Sequence, residues 1–313
     1  MSVSLIVVVA AALFVSWMIG ANSVSTSFGP VAGSGASGVL RGALLAGIFG
    51  LVGAIVQGDN VAGTVGSDIL SGATISAPMA SVILLSAAVL VVIGVYFQIP
   101  IPLAFTVVGS VLGAGLGLGA TWDVGEVRVI AATWIAIPFV AVILGYGFAR
   151  VLRKYFSKDG SERPLSLLLF FIAGFTAYTA GANLVGLAVG PLVSIIDVSI
   201  ILLLLIGGIV IMFGAWLGGP RIVNAVSKDY SAMGMRRSIC ALSTATVIAQ
   251  SATLFGIPVS FNEVIIASMI GSGLVAGTSE IRLSKIGKTV FSWVGSFAAA
   301  MAISWVVMVA SIV

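Results

Sequence analysis

The 313-residue chain contains no histidine and a single cysteine, Cys240. The first absence removes the imidazole base of a nucleophilic triad and the usual zinc ligand, and the second removes any internal disulfide or multi-cysteine metal site. Charge is equally scarce: 14 Lys and Arg against 10 Asp and Glu, together 8% of the chain. The acids never gather at ligand spacing, and the net charge of +4 forms no basic face or stacking platform for nucleic acid. Neither cofactor nor metal is implied. The first twenty residues hold no Lys or Arg before their apolar run and no small-residue cleavage site after it, so that run is expected to stay as a membrane span.

What remains is apolar. Hydrophobic residues make up 60% of the chain and mean hydropathy is +1.25, values that a water-soluble domain of this size could not present to solvent. The runs 3–19, 78–97, 129–149, 194–217 and 289–313 are each about long enough to cross roughly 30 Å of hydrocarbon as a helix. They lack the alternation of barrel strands. The expected fold is an all-α polytopic protein of the cell membrane.

One stretch occurs twice. Gly20-Ala21-Asn22-Ser23-Val24-Ser25-Thr26-Ser27-Phe28-Gly29-Pro30 returns as Gly181-Ala182-Asn183-Leu184-Val185-Gly186-Leu187-Ala188-Val189-Gly190-Pro191, an offset of 161. Gly53-Ala54 and Gly214-Ala215 keep that offset, as do Asp68 and Asp229; Pro100 and Pro258 lie 158 apart, and Trp134 and Trp293 lie 159 apart. The chain therefore reads as a duplication: a first transmembrane repeat over 1–150, a basic linker over 151–163 and a second repeat over 164–313. Both copies of the stretch interrupt apolar runs with residues that weaken helices, so two matched breaks are expected.

The linker places itself in the cytoplasm by its Lys and Arg content. Walking back from it gives spans at 127–149, 103–119, 78–97, 38–57 and 3–19. Their outer loops carry Asp123, Glu126, Asp59 and Asp68, and Arg41 marks an inner end. Walking forward gives spans at 165–183, 193–217, 238–256, 260–278 and 289–313, with Arg221, Lys228, Arg236, Arg237, Arg282, Lys285 and Lys288 inside. About five segments per half is an odd number, so the second copy is expected upside down, an inverted-topology repeat. The Pro- and Gly-rich stretches 98–119 and 257–278 are expected either as re-entrant hairpins or as closely packed small-residue helices.

The chemistry available is neutral. Asn22, Ser23, Ser25, Thr26 and Ser27 of the first half, with Gly181, Asn183 and Ser260 of the second, offer amides and hydroxyls as donors. Unwound helix ends add partial positive charge, a combination that suits a small oxyanion. Carboxylates at membrane depth are candidates for handling a coupling ion. Glu263 is the foremost, followed by Asp197, Asp68 and Asp229.

These motifs resemble the inorganic phosphate transporters of the PiT type, a family that includes some bacterial sulfate permeases. The resemblance covers nearly the full length. Its hallmark Gly-Ala-Asn-Asp-Val-Ala-Asn is matched by Gly20-Ala21-Asn22-Ser23-Val24 and Gly181-Ala182-Asn183-Leu184-Val185. A second hallmark, Pro-Val-Ser-Thr-Thr-His, is similar to Pro258-Val259-Ser260 and decayed at Pro100-Ile101-Pro102; a Ser-Trp element is similar to Thr133-Trp134 and Ser292-Trp293. The hallmark aspartates are Ser23 and Leu184 here, and the histidine positions are Phe105 and Glu263.

The resemblance implies a secondary transporter of a tetrahedral oxyanion working by alternating access between the two halves. Phosphate near neutral pH keeps a proton that wants an acceptor, whereas sulfate is satisfied by donors alone. Loss of both hallmark aspartates therefore favours sulfate over phosphate. The same loss weakens the case for sodium handled in the family manner and leaves a proton or sodium as the coupling ion. Phosphate transport and a passive anion channel are the alternatives, an intramembrane enzyme has little support, and a homodimer stays among the allowed assemblies.

Overall fold

The computed structural model describes residues 3–97, 101–155, 162–224, 234–276 and 283–311. Asp229, Lys228, Pro100, Arg282 and the linker residues 156–161 lie outside the described residues. The first half contains α1 (Val3–Ile19), the short α2 (Gly29–Gly33), α3 (Val39–Gly63), α4 (Ala77–Phe97), α5 (Leu103–Gly117) and α6 (Val124–Tyr155). The second contains α7 (Glu162–Val189), α8 (Ile200–Phe213), α9 (Met235–Leu254), α10 (Phe261–Ala276) and α11 (Leu283–Ala310). The chain is a helical, multi-pass membrane protein.

Seven helical segments among the described residues are long and apolar enough to cross a bilayer, rather than ten. The exceptions have physical causes. Helix α5 has 15 residues and α10 has 16, about 22 and 24 Å at 1.5 Å per residue and so short of the hydrocarbon thickness. Helix α9 opens with Arg236 and Arg237 and carries Thr, Ser and Gln throughout, so it falls below span hydropathy. Helix α3 runs past the expected end at 57, through Gly58, Asp59 and Asn60, with no proline to interrupt it before the π-helical turn Thr64–Asp68. The segment expected from 193 begins only at Ile200, after a 3-10 turn at Gly190–Leu192.

The two copies of the repeated stretch also differ. In the first, the chain winds as a π-helix over Gly20–Val24 and then as a 3-10 helix over Ser25–Phe28. The second stays α-helical to Val189, so the two expected breaks are not matched. Ser25, Thr26 and Ser27 compete for backbone carbonyls in the first copy. Gly186, Leu187 and Ala188 stand at those places in the second and offer no such competition.

Packing between the halves is reciprocal. Gly20 lies against Ile211 and Ala215, while Gly181 lies against Gly50; Gly214 lies against Trp17, while Gly53 lies against Tyr178. The contacts Gly20–Ile211 and Gly214–Trp17 reappear as Gly181–Gly50 and Gly53–Tyr178, with the two partners exchanged at the offset of 161. A Cβ at Gly20 or Gly181 would run into the neighbouring backbone, which is how small residues let membrane helices approach closely. Gly47 sits by Met212, Gly208 by Leu51 and Gly58 by Leu204, so α3 and α8 run antiparallel. Gly53 by Tyr178, Gly58 by Val185 and Gly66 by Gly190 make α3 and α7 parallel.

The exchange continues outward. Helix α5 packs mainly on α11, with Gly109 by Phe297 and Gly113 by Met301, while α10 packs mainly on α6, with Gly145 by Ser268 and Gly271 by Val142. A two-residue antiparallel pair, Leu70 with Trp122 and Ser71 with Thr121, joins the loops after α3 and before α6.

Candidate functional site

The interior polar groups form a seam where α7, α9 and α3 meet. Thr176 and Thr246 bring their hydroxyls to 2.7 Å. One turn on, Thr179 donates to Gln250 Oε1 at 2.9 Å, and Gln250 Nε2 donates to Gln57 Oε1 at 2.6 Å. A further turn on, Asn183 Nδ2 donates to Thr253 Oγ1 and to the Ile257 carbonyl, each at 3.0 Å, and Asn60 Nδ2 donates to the Thr253 carbonyl at 3.2 Å. Helical spacing produces this ladder: 176, 179 and 183 share one face of α7, and 246, 250 and 253 share one face of α9.

Asn183 also accepts the Val259 amide N–H at 3.0 Å. Fully buried, it has both donors and its acceptor engaged. It clamps the turn between α9 and α10, which is itself buried in protein, the setting in which irregular backbone is tolerated at membrane depth. Gly256 takes φ +71° in that turn, and a Cβ there would lie 2.7 Å from Thr64 Oγ1 and 3.0 Å from the Asn60 carbonyl. From α6, Trp134 Nε1 donates to the Pro258 carbonyl at 2.8 Å, and its ring stacks on Phe105 with centroids 3.8 Å apart.

Ser260 caps α10, its Oγ receiving the Glu263 N–H at 3.4 Å. In a full capping box the glutamate would reach back to the cap's own N–H. Here Glu263 is 1% exposed and its Oε2 has no hydrogen-bond partner. It is the one buried carboxylate among the described residues. Asp197 and Asp68 are exposed, the latter receiving a hydrogen bond from Ser67 at 2.7 Å. Neither sits in the interior where a coupling ion would meet the seam.

In the first half the picture is more open. Asn22 is half-buried, and its Nδ2 meets only the Met18 sulfur at 3.9 Å, a weak acceptor. Ser23 beside it is half-buried as well. The hydroxyls of Ser25, Thr26 and Ser27 donate to the carbonyls of Ala21, Ser23 and Val24 at 2.6, 2.5 and 2.7 Å. Their protons are committed to the backbone, leaving lone pairs rather than donors. Gly181 serves close packing of α7 on α3.

Sequence reasoning passed over Thr176, Thr179, Thr246, Gln250, Gln57 and Asn60. A signal for them exists: polar residues recur at i, i+3 and i+7 in α7 and at i, i+4 and i+7 in α9, each set marking one face.

Buried turns and a neutral polar seam between helices define a multi-pass membrane protein with a hydrogen-bonded polar interior. Residues 19–304 match the model of the phosphate transporter family. The chain belongs to that family, whose members are transporters and not enzymes. It is 28% identical over 304 residues to the sulfate permease CysP of Bacillus subtilis, an alignment covering 95% of this chain and 85% of that one. It is 24% identical over 299 residues to a putative phosphate permease of Methanocaldococcus jannaschii, covering 94% and 93%. A solved sodium-dependent phosphate transporter superposes over the whole of both chains with a TM-score of 0.83 at 18% identity, a likeness of fold.

Proposed function

We propose that this protein is a secondary transporter of a tetrahedral oxyanion, with sulfate preferred to phosphate, and that it works by alternating access between two inverted repeats in the cell membrane. The carrying observation is the chemistry of the interior. Its polar groups are amides and hydroxyls, and Glu263 is the sole buried carboxylate among the described residues. An interior whose acceptors beside Asn22 and Ser23 are neutral hydroxyl and amide oxygens, with no carboxylate there among the described residues to take a substrate proton, suits an anion that carries none. The 28% identity to a sulfate permease supports the same order.

The inverted arrangement is supported by the reciprocal glycine contacts and by the antiparallel course of α3 and α8, which occupy equivalent places in the two halves. If α4 with α5 and α9 with α10 are hairpins that enter and leave on one side, three crossings per half remain. That number is still odd.

Asn22 and Ser23, at the π-helical turn, are the donors open to substrate in this state, while Asn183 holds the facing turn. Replacing the water of a divalent anion requires several charge-assisted hydrogen bonds. Asn183 joins them when the turn between α9 and α10 shifts and releases its amide. Glu263, adjoining that turn, meets the coupling ion, a proton or sodium. Phosphate is the second reading, favoured by the family description and by the sodium-dependent phosphate transporter of like fold.

Uptake by purified protein in liposomes tests this, with labelled sulfate and phosphate supplied under sodium and proton gradients. Accumulation of sulfate that unlabelled phosphate displaces poorly is expected. Preferential phosphate accumulation would reverse the substrate order, and flux that only follows the anion's own gradient would indicate a channel.

A further inference from the structure

We propose that the basic ends of α6 and α9, together with the C-terminal end of α10, form a binding site for the phosphate group of an anionic phospholipid. A cavity of about 290 Å3 lies there, and Arg153, Arg236, Arg237, Cys240 and Ser272 are among its walls. Among the described residues, no acidic side chain lines it. The Nε of Arg237 is buried there without a hydrogen-bond partner, so a strong donor has been removed from water with nothing to receive its proton. Arg153 reaches across from α6 and donates through Nη1 to the Val275 carbonyl on α10 at 3.0 Å. That bond fixes its planar fork while leaving the other donors free. Three guanidiniums around one cavity match the geometry and charge of a phosphate group.

The choice of a lipid over a free oxyanion rests on what adjoins the cavity. A wider groove of about 720 Å3 shares Arg153 and Val275 with it and adds Arg150, Lys154 and the rings of Tyr146 and Tyr155. Arg150 lies 5.6 Å from the Tyr146 ring centre, and Lys154 lies 5.3 Å from that of Tyr155. Val151 and Leu274 on its wall are exposed at 53% and 50%, apolar surface that an acyl chain would cover. An inorganic anion has no use for an apolar and aromatic wall. A phospholipid has both ends to offer, and basic pockets between membrane helices bind such headgroups. The site is separate from the polar seam and does not depend on which anion is carried.

Native mass spectrometry of the purified full chain in mild detergent provides the test, with phosphatidylglycerol, phosphatidylcholine, inorganic sulfate or inorganic phosphate added in separate arms. Wild-type protein is expected to retain phosphatidylglycerol over phosphatidylcholine. Arg237→Gln should lower that retention by about tenfold, as expected for one lost charge-assisted hydrogen bond. Arg153→Gln, which alters a different helix, should do the same and guards against a fold defect in the first variant. Retention of phosphatidylglycerol by both variants at the wild-type level would overturn the proposal. So would retention of inorganic sulfate or phosphate that both variants lower while phosphatidylglycerol retention stays unchanged, since the occupant of this cavity would then be a free anion.

Discussion

The backbone N–H of Val259 donates to the Oδ1 of Asn183 at 3.0 Å, and the same side chain reaches the Ile257 carbonyl through Nδ2 at 3.0 Å. One buried amide thus holds both sides of Pro258. Asn22, 161 positions earlier, has only the Met18 sulfur as a hydrogen-bond partner, at 3.9 Å. The two asparagines of the repeated Gly-Ala-Asn stretch therefore do different work in this state.

That difference separates two variants. Asn183→Ala strands a buried amide and a buried carbonyl and should cost about 2–4 kcal/mol of stability, seen as a lower unfolding temperature in detergent together with lost uptake. Asn22→Ala should abolish uptake with the unfolding temperature unchanged. Wild-type transport by Asn22→Ala would remove that residue from the substrate site.

Glu263→Gln keeps the size and burial of the side chain but removes its ability to carry or meet a cation. Gradient-driven accumulation should disappear while exchange of labelled for unlabelled anion across the liposome membrane persists. Loss of both activities together would instead assign Glu263 to the structure of the turn.

Gly256→Ala places a Cβ where φ is positive and where Thr64 and Asn60 leave no room. A penalty of about 1–2 kcal/mol or more is expected, read as a lowered unfolding temperature. An unchanged temperature would mean that the turn relaxes freely.

Gly53→Ala and Gly214→Ala are related by the exchange of contacts between halves, each meeting backbone of the opposite half. Their effects on stability are expected to be alike, and both larger than that of Gly287→Ala, where open space surrounds the added carbon. A large effect from only one of the pair would show that the reciprocity is geometric and not energetic.

Much of this was readable in the chain itself. The spacing of Gly20, Gly53, Gly181 and Gly214 marked residues that the fold places at close helix contacts, and apolar run lengths announced the helices. The lengths of α5 and α10 were harder to see, because apolar residues in helices buried by protein look the same as those facing lipid. The seam through Thr179, Gln250 and Gln57 was invisible to motif reasoning, since single polar residues in a membrane helix draw notice only once their partners are known. Asn183 was legible as important, yet its sequence context does not say that its donors are already spent on a neighbouring turn.

The crossing of partners between halves has a consequence for how the protein is made. Helix α5 leaves the ribosome long before α11, the helix it packs against, has been translated, and α6 must likewise wait for α10. Neither half holds a finished set of neighbours, so the nascent chain remains unsettled in the bilayer until nearly its last residues are synthesised. A ribosome arrested before Leu283 would release a product whose N-terminal half is as incomplete as its missing tail.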